Sequence, residues 1–331
     1  MKIGWIILVV FFCCCASPAD PPAVSFYYWK TTFQLGDREE STLQLNSSSR
    51  LYIRYFDVGL QNGQPFPISA VLFKTIPKQH IIPVVYIKNE VVLSKSVDIP
   101  ALAQQIVAYL EQINAHYGIE TKELQLDCDW SLGSKANFFE LVHALRQQRR
   151  WRLSCTIRLH QVKYFEKTGI PDVDYGVLMY YNMGTISANQ TNSIYDRQTA
   201  ASYIKSLGKY PLKLKVALPI FSWGVHLRQG KVINLLNKLQ EADLLHHPHL
   251  KQSQSGKFKI LQEGVYFGQL FAAADEIKLE NVSSEMLLEM ATDLKQHVRE
   301  KPNEIIFYDL DSTNVNHYDK EIFQKTAHLF R

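Results

Sequence analysis

The succession of short apolar runs is the feature that most constrains the fold of this chain. Eight runs rich in β-branched and aromatic residues are spread along 331 residues, and helical patterns separate several of them. That alternation is typical of βα units, whose strands form a parallel sheet. Eight parallel strands close a (β/α)8 barrel, and one such barrel accommodates a chain of this length. The predicted strands are Val24–Trp29, Leu51–Asp57, Ile81–Ile87, Leu124–Trp130, Arg152–His160, Tyr175–Tyr181, Leu214–Phe221 and Glu304–Tyr308.

Helical periodicity and one irregular segment complete the predicted α/β fold. Leu102, Ile106, Leu110 and Ile113 recur at helical spacing and predict a face that packs on the barrel. After the seventh strand the alternation of β-rich runs and helical patterns stops. We therefore predict an insertion at about residues 225–267 in a TIM-type domain that spans residues 20–331. The predicted helices are Ile99–Tyr117, Ala136–Gln148, Ala200–Leu207, Ser284–Arg299 and Asp319–Phe330.

The fourth and fifth predicted strands carry polar residues at alternate positions. Asp127 and Asp129 share one face of the fourth strand, and Arg158 lies on the polar face of the fifth. Because helices cover the outside of such a barrel, the polar faces should point inward and rise toward its C-terminal mouth. One interpretation is a structural ion cluster of Arg158 with the aspartates, since buried charges require partners. The other, which we favour, is a ligand site, because strand C-termini carry the functional groups in this fold.

Three motifs carry a resemblance to a known family. Asp127-Cys128-Asp129-Trp130, Met179-Tyr180-Tyr181-Asn182 and Leu218-Pro219-Ile220-Phe221 resemble, in this order, the fourth-, sixth- and seventh-strand segments of family 18 glycoside hydrolases, the chitinases and their relatives. An insertion after the seventh strand is also common in that family. The chain is similar, too, to uncharacterised bacterial lipoproteins with Asp-Cys-Asp-Trp and Tyr-Asn-Met-Gly segments, which imply no activity. The family resemblance implies a TIM-type barrel that acts on or binds a glycan at its C-terminal mouth.

Two departures from the family pattern bear on catalysis. Ser131 stands where the family has its acidic Glu, and Asn182 stands where it has an Asp. In substrate-assisted hydrolysis the acetamide group of the sugar attacks, and an acid must still protonate the leaving oxygen, which a serine cannot do at a useful pKa. Two functions therefore remain: a glycoside hydrolase with non-standard acid and base residues, or a non-catalytic carbohydrate-binding surface protein.

The predicted site residues lie at the ends of the predicted strands. As a hydrolase, the protein would use Asp129 as proton donor and Asp127 to tune it, because neighbouring carboxylates raise one another's pKa. Aromatic faces and polar groups from other strand ends would bind the substrate. The predicted substrate-binding residues are Trp29, Asp57, Arg158, Tyr181, Asn182, Trp223 and Asp309.

Other classes of partner and cofactor are not expected. The formal net charge is only +4, and no block of basic residues resembles a nucleic-acid-binding arm. Neither a glycine-rich phosphate loop nor a Gly-x-Ser-x-Gly nucleophile motif is present. His246, His247 and His249 lack the further ligands that a metal site needs. We therefore predict no cofactor, no metal, no nucleic-acid partner and a monomer that acts on a glycan or other small-molecule or polymeric substrate.

The N-terminus predicts export. Lys2 precedes an apolar run, Ile3–Phe12, which is too short to span a bilayer, and three cysteines and Ala16 follow. Residues 1–19 therefore resemble a signal sequence, with lipidation at one of Cys13–Cys15 or cleavage after a small residue as the two alternatives. We expect a cell-envelope lipoprotein that touches the membrane only through its lipid anchor, or otherwise a secreted protein. The remaining cysteines, Cys128 and Cys155, could form a disulfide or be core thiols.

Metabolic labelling tests the predicted lipid anchor. A palmitate analogue should label the wild-type protein in the membrane fraction, and replacement of Cys13, Cys14 and Cys15 by serine should abolish the label because the thiol that carries the acyl chain is lost. Equal labelling of the two proteins, or absence of label from both, would contradict the lipoprotein assignment.

Overall fold

The structure is a computed structural model that describes residues 20–148, 150–189 and 192–331. The predicted signal sequence, residues 1–19 with Cys13–Cys15, lies outside the described residues. Within the described ranges, no helix combines the length and the apolar character that crossing a membrane requires.

Eight parallel strands form a closed barrel, which confirms the predicted fold class. The first strand pairs with both the second and the eighth, so that Phe26 faces Leu51 on one side and Phe307 on the other, and the sheet has no open edge there. The barrel strands are β1 Ala23–Tyr28, β2 Arg50–Gln61, β3 His80–Ile87, β4 Glu123–Asp127, β5 Arg152–Arg158, β6 Tyr175–Met179, β7 Leu214–Pro219 and β8 Glu304–Tyr308.

The fourth and fifth strands end earlier than their sequence pattern predicts. Strand β4 ends at Asp127 and not at Trp130, and β5 ends at Arg158 because Leu159 begins a short helix. Outside the barrel wall, Cys128 and Cys155 are buried free thiols. Asp129 therefore lies beyond the last paired residue of β4, and its side chain is 50% exposed at the rim.

Helices cover the outside of the barrel, and the longest shows how the sequence sets its bounds. The side chain of Asp98 accepts a hydrogen bond from the Ala101 amide (2.9 Å), and Gly118, at φ +63°, ends the helix in the left-handed region. The α-helices are Asp37–Leu45, Asn89–Leu93, Ile99–Tyr117, Lys135–Gln147, Leu159–Lys163, Phe165–Thr168, Arg197–Ile204, Glu241–Leu245, Ser284–His297, Ser312–Val315 and Ile322–His328, with a 3₁₀ turn at Leu207–Lys209.

Between β7 and β8 the chain forms a separate sheet with its own core, in which Phe258, Phe271 and Ile277 are fully buried. Residues 225–267, where we predict the insertion, lie within this region. The antiparallel sheet comprises Trp223–Arg228, Lys231–Asn237, Leu250–Gln254, Lys257–Ile260 and Glu276–Glu280, with a hairpin of Gly264–Tyr266 and Gln269–Phe271 beside it. The other strands are Gln64–Ile68, which pairs with β2, and the pair Thr32–Phe33 and Leu72–Phe73.

Paired charges fill the N-terminal end of the barrel interior. Lys215 Nζ lies 2.5 Å from Glu304 Oε2, and each of these side chains is less than 5% exposed. Tyr52 donates a hydrogen bond to the same Glu304 oxygen (3.1 Å), and Ser25 donates to the other one. Because these partners satisfy one another within the barrel, this end is closed, and the opposite mouth is the end with open clefts.

Candidate carbohydrate-binding site

A bulge in β2 places Arg54 and Asp57 together at the mouth of the barrel. The pairing of β2 with β3 shifts register between Arg54 and Phe56, so Tyr55 and Phe56 both point outward, toward Asn114 and Tyr109 of the covering helix. Arg54 and Asp57 consequently share the inner face, where Arg54 Nε donates to Asp57 Oδ1 (2.6 Å).

Arg158 lies between the two predicted catalytic aspartates. Its Nη2 is 3.6 Å from Asp127 Oδ1, and its Nε and Nη2 both donate to the carboxylate of Asp129. Burial raises the pKa of Asp127, although Arg158 and a hydrogen bond from Thr156 (2.6 Å) oppose that shift. Arg158 therefore serves as the shared partner of both carboxylates, and Asp129 enters this contact as a hydrogen-bond acceptor.

A continuous series of aromatic rings forms one wall of a cleft of about 340 Å³ at the mouth. Ring centroids are 5.5 Å apart for Trp29 and Tyr308, 5.5 Å for Tyr308 and Tyr181, 5.7 Å for Tyr181 and Phe221, and 5.2 Å for Phe221 and Trp223. The Trp223 indole also donates to Glu280 Oε2 (2.8 Å), which fixes the ring to the inserted sheet. Flat apolar surfaces beside polar groups are suited to the two kinds of face that a sugar ring presents.

Asp309 at the end of β8 supplies a buried carboxyl group to the same cleft. Burial and the neighbouring charge of Asp311 raise the pKa of Asp309 to about 6. Asn314 Nδ2 donates to Asp309 Oδ1 (2.6 Å), while Asn314 Oδ1 is buried without a hydrogen-bond partner among the described residues. A buried acceptor of this kind beside a cleft is available to a ligand donor.

The pKa of Asp311, two residues further on, is shifted in the opposite direction. Burial alone would raise its pKa, but hydrogen bonds from Lys238 (2.7 Å) and Lys30 (3.0 Å) outweigh that effect and lower the pKa to about 2. Both lysines line the cleft, so Asp311 anchors two cationic side chains at its rim.

A second cavity of about 350 Å³ adjoins the first through Arg158, Tyr181 and Asn182, which border both. Asn182 has φ +55°, a conformation that asparagine tolerates better than most residues. Asp129 and His160 line the far side of this second cavity, and burial lowers the pKa of His160.

Ser131 forms hydrogen-bond contacts with its neighbour Ser134. Its amide donates to Ser134 Oγ (2.9 Å), and the two hydroxyl oxygens are 3.2 Å apart. Ser134 in turn donates to Asn89 Oδ1 (2.5 Å). Ser131, Ser134 and Asn89 therefore form a local hydrogen-bonded network just before the helix Lys135–Gln147.

The cleft brings together most of the predicted residues and several that sequence reasoning missed. Asp57 is not among the residues that line the cleft. It contacts Arg54, whose guanidinium carbon lies 5.8 Å from the centre of the Trp29 ring. Within the described ranges, no group of three or more His, Cys, Asp or Glu side chains is arranged to hold a metal ion. The predicted residues that line the main cleft are Trp29, Asp127, Arg158, Tyr181, Asn182, Trp223 and Asp309. Residues that line these spaces without being among the predicted site residues include Phe221, Lys238, Tyr308 and Asn314 in the main cleft and His160 in the second cavity.

The raised pKa of Asp309 predicts a pH-dependent stability. The folded state holds this proton to about pH 6, whereas the unfolded chain releases it near pH 4, so wild-type stability should fall as the pH rises between these values, by roughly 3 kcal/mol at most. Asp309→Asn removes this titration. In urea unfolding between pH 3 and pH 8, the free energy of unfolding of the variant should therefore rise relative to that of the wild type from pH 4 to pH 6. The matched control, Asp311→Asn, should lose stability at neutral pH and recover it below pH 4, because the pKa of Asp311 is lowered. If the free energies of unfolding of Asp309→Asn and the wild type differ by the same amount at every pH, the raised pKa of Asp309 is contradicted.

Solved structures of chitinases share this barrel. A family 18 chitinase from Cycas revoluta in complex with allosamidin superposes with a TM-score of 0.55 at 12% identity, over 92% of this chain and 98% of that one. A chitinase from Bacteroides thetaiotaomicron gives 0.55 at 10% identity, over 93% and 96% of the two chains, and one from Trichuris suis gives 0.52 at 11%, over 94% and 100%. No family model matches the chain, and no curated protein is found to be related to it. The predicted resemblance to family 18 is thus confirmed as a divergent barrel of that fold.

Proposed function

We propose that this protein binds a carbohydrate chain in the cleft at the C-terminal mouth of its barrel. The observation that carries the proposal is the wall of five contiguous aromatic rings, which faces the same cleft as Asp127, Arg158 and Asp309. Such a combination gives apolar stacking surfaces and hydrogen-bonding groups to one ligand, as sugar recognition requires.

Two further observations support a sugar ligand. Asn314 Oδ1 is a buried acceptor without a partner in the described part of the chain, and a ligand hydroxyl would satisfy it. The Cycas revoluta chitinase has been solved with N-acetylglucosamine oligomers of three and four units, which makes these sugars the first ligands to test on this chain.

Binding fits the polar residues better than the family's hydrolytic mechanism does. Ser131 replaces the acid and bonds to Ser134, and Asp129, our predicted donor, accepts hydrogen bonds from Arg158. Hydrolysis remains the second candidate function because Asp309 is a cleft carboxyl group that stays protonated to about pH 6. We propose in addition that the protein works as an exported monomer, anchored to the cell envelope by lipid or else secreted.

Removal of one aromatic platform tests the binding proposal. Trp29→Ala should weaken the affinity for the preferred glycan about tenfold, because one stacking surface is lost. Isothermal titration with oligomers of N-acetylglucosamine, glucose and mannose measures this, and Tyr164→Ala, which removes a ring that is 50% exposed elsewhere, is the matched control. If the wild type binds none of these oligomers, or if the two variants behave alike, the proposed site is wrong.

The same oligomers separate the candidate proton donors. If new reducing ends form, the variant that lowers turnover about 100-fold while retaining affinity identifies the donor, since general acid catalysis contributes at least that factor. The sequence pattern predicts this loss of turnover for Asp129→Asn. The burial of the Asp309 carboxyl group predicts it for Asp309→Asn. Absence of cleavage by the wild type, together with binding, would establish the non-catalytic alternative.

A further inference from the structure

The hairpin of the inserted sheet has a phenylalanine in its turn. Phe267 and Gly268 connect Gly264–Tyr266 to Gln269–Phe271, and their φ angles are +49° and +75°. Two-residue turns with positive φ at both positions favour Asn-Gly, because most side chains are strained there. A bulky aromatic residue at the first position is therefore a local compromise, and compromises of this kind cluster at functional sites.

The ring of Phe267 borders an open cavity and is itself partly exposed. About a third of Phe267 (36%) is accessible, and its ring centroid lies 5.4 Å from that of His247. The cavity measures about 570 Å³, and Asn237, Asp243 and Gln269 line it together with Phe267. A partly exposed aromatic ring in a cavity that amide and carboxylate side chains also line repeats, with a single ring, the chemistry of the main cleft.

This cavity adjoins the cleft at the barrel mouth. Asn237 and Lys238 line both of them, and Lys238 is held in place by its ion pair with Asp311 (2.7 Å). A ligand that extends from the main cleft past Lys238 would thus enter the cavity that Phe267 lines.

We propose that Phe267 is the stacking platform of a distal sugar subsite, so that the ligand of this protein is a linear glycan of several units. The apolar face of one sugar ring packs on the phenyl ring, while Asn237 and Gln269 bind its hydroxyl groups. This inference rests on the proposed function, because the nearer units of the same glycan occupy the main cleft.

Chain-length dependence of the affinity tests the subsite. Phe267→Asn removes the ring with a residue that tolerates positive φ, and Phe267→Gly is a second variant that relieves the strain altogether. Titration calorimetry uses N-acetylglucosamine, glucose and mannose oligomers of two to six units. Both variants should lose about tenfold in affinity for the six-unit oligomer and less than twofold for the two-unit oligomer. The matched control is Val265→Ser, which removes a side chain that is 70% exposed on the same hairpin and should change neither affinity.

The outcomes distinguish this inference from the proposed function. Binding by the wild type with equal losses for short and long oligomers, or with no loss in either Phe267 variant, would overturn the distal subsite alone. An affinity that does not rise with chain length in the wild type would overturn it as well. Failure of the wild type to bind any of the oligomers would overturn both proposals.

Discussion

The interior of this barrel depends on the pairing of buried charges. Branched apolar side chains fill most barrels of this type, whereas here Lys215 and Glu304 meet at 2.5 Å inside the wall. An unpaired charge at that depth would cost about 3 to 5 kcal/mol, so the strands that carry these residues are held in one register. Above them, Tyr27 donates to Gln125 (2.6 Å), which continues the polar interior toward the mouth. The polar interior thus reaches Asp127 at the end of β4, where the side chain is still buried.

At the mouth the same pairing rule leads to a different result. Arg158 satisfies Asp127 and Asp129, but one of these carboxylates is buried and the other is half exposed. A ligand can therefore exchange contacts with the outer part of the cluster without leaving a charge alone in the interior. The aromatic wall beside it provides apolar surface, and Asn314 Oδ1 is an acceptor without a partner among the described residues. The charges that stabilise the barrel and the groups of the proposed binding site therefore lie at opposite ends of the barrel.

The sequence was sufficient to predict the strands and much of the mouth, because both follow from periodicity. Alternation on β4 and β5 predicted that Asp127 and Arg158 share the interior. Seven of the residues predicted at or near strand ends line the main cleft. The bulge that returns Asp57 to the inner face follows no simple alternation and was not visible in the sequence. Lys238 was missed for another reason: it follows the strand Lys231–Asn237 of the inserted sheet, and only the tertiary fold brings it to Asp311. Asn314 likewise gains its role from a contact with Asp309 that is fixed by the loop after β8.

The two pairs of aspartates at the mouth also differ in the chemistry that they permit. Acid–base catalysis requires neighbouring groups whose environments drive their pKa values apart. Asp127 and Asp129 share one guanidinium, which supports the ionised form of Asp127 against the effect of its burial. Asp309 and Asp311 experience opposite environments, since burial raises one pKa to about 6 while two lysines lower the other to about 2. If this barrel hydrolyses a glycan, the end of β8, where burial raises the pKa of Asp309 to about 6, is therefore the position that best suits a proton donor.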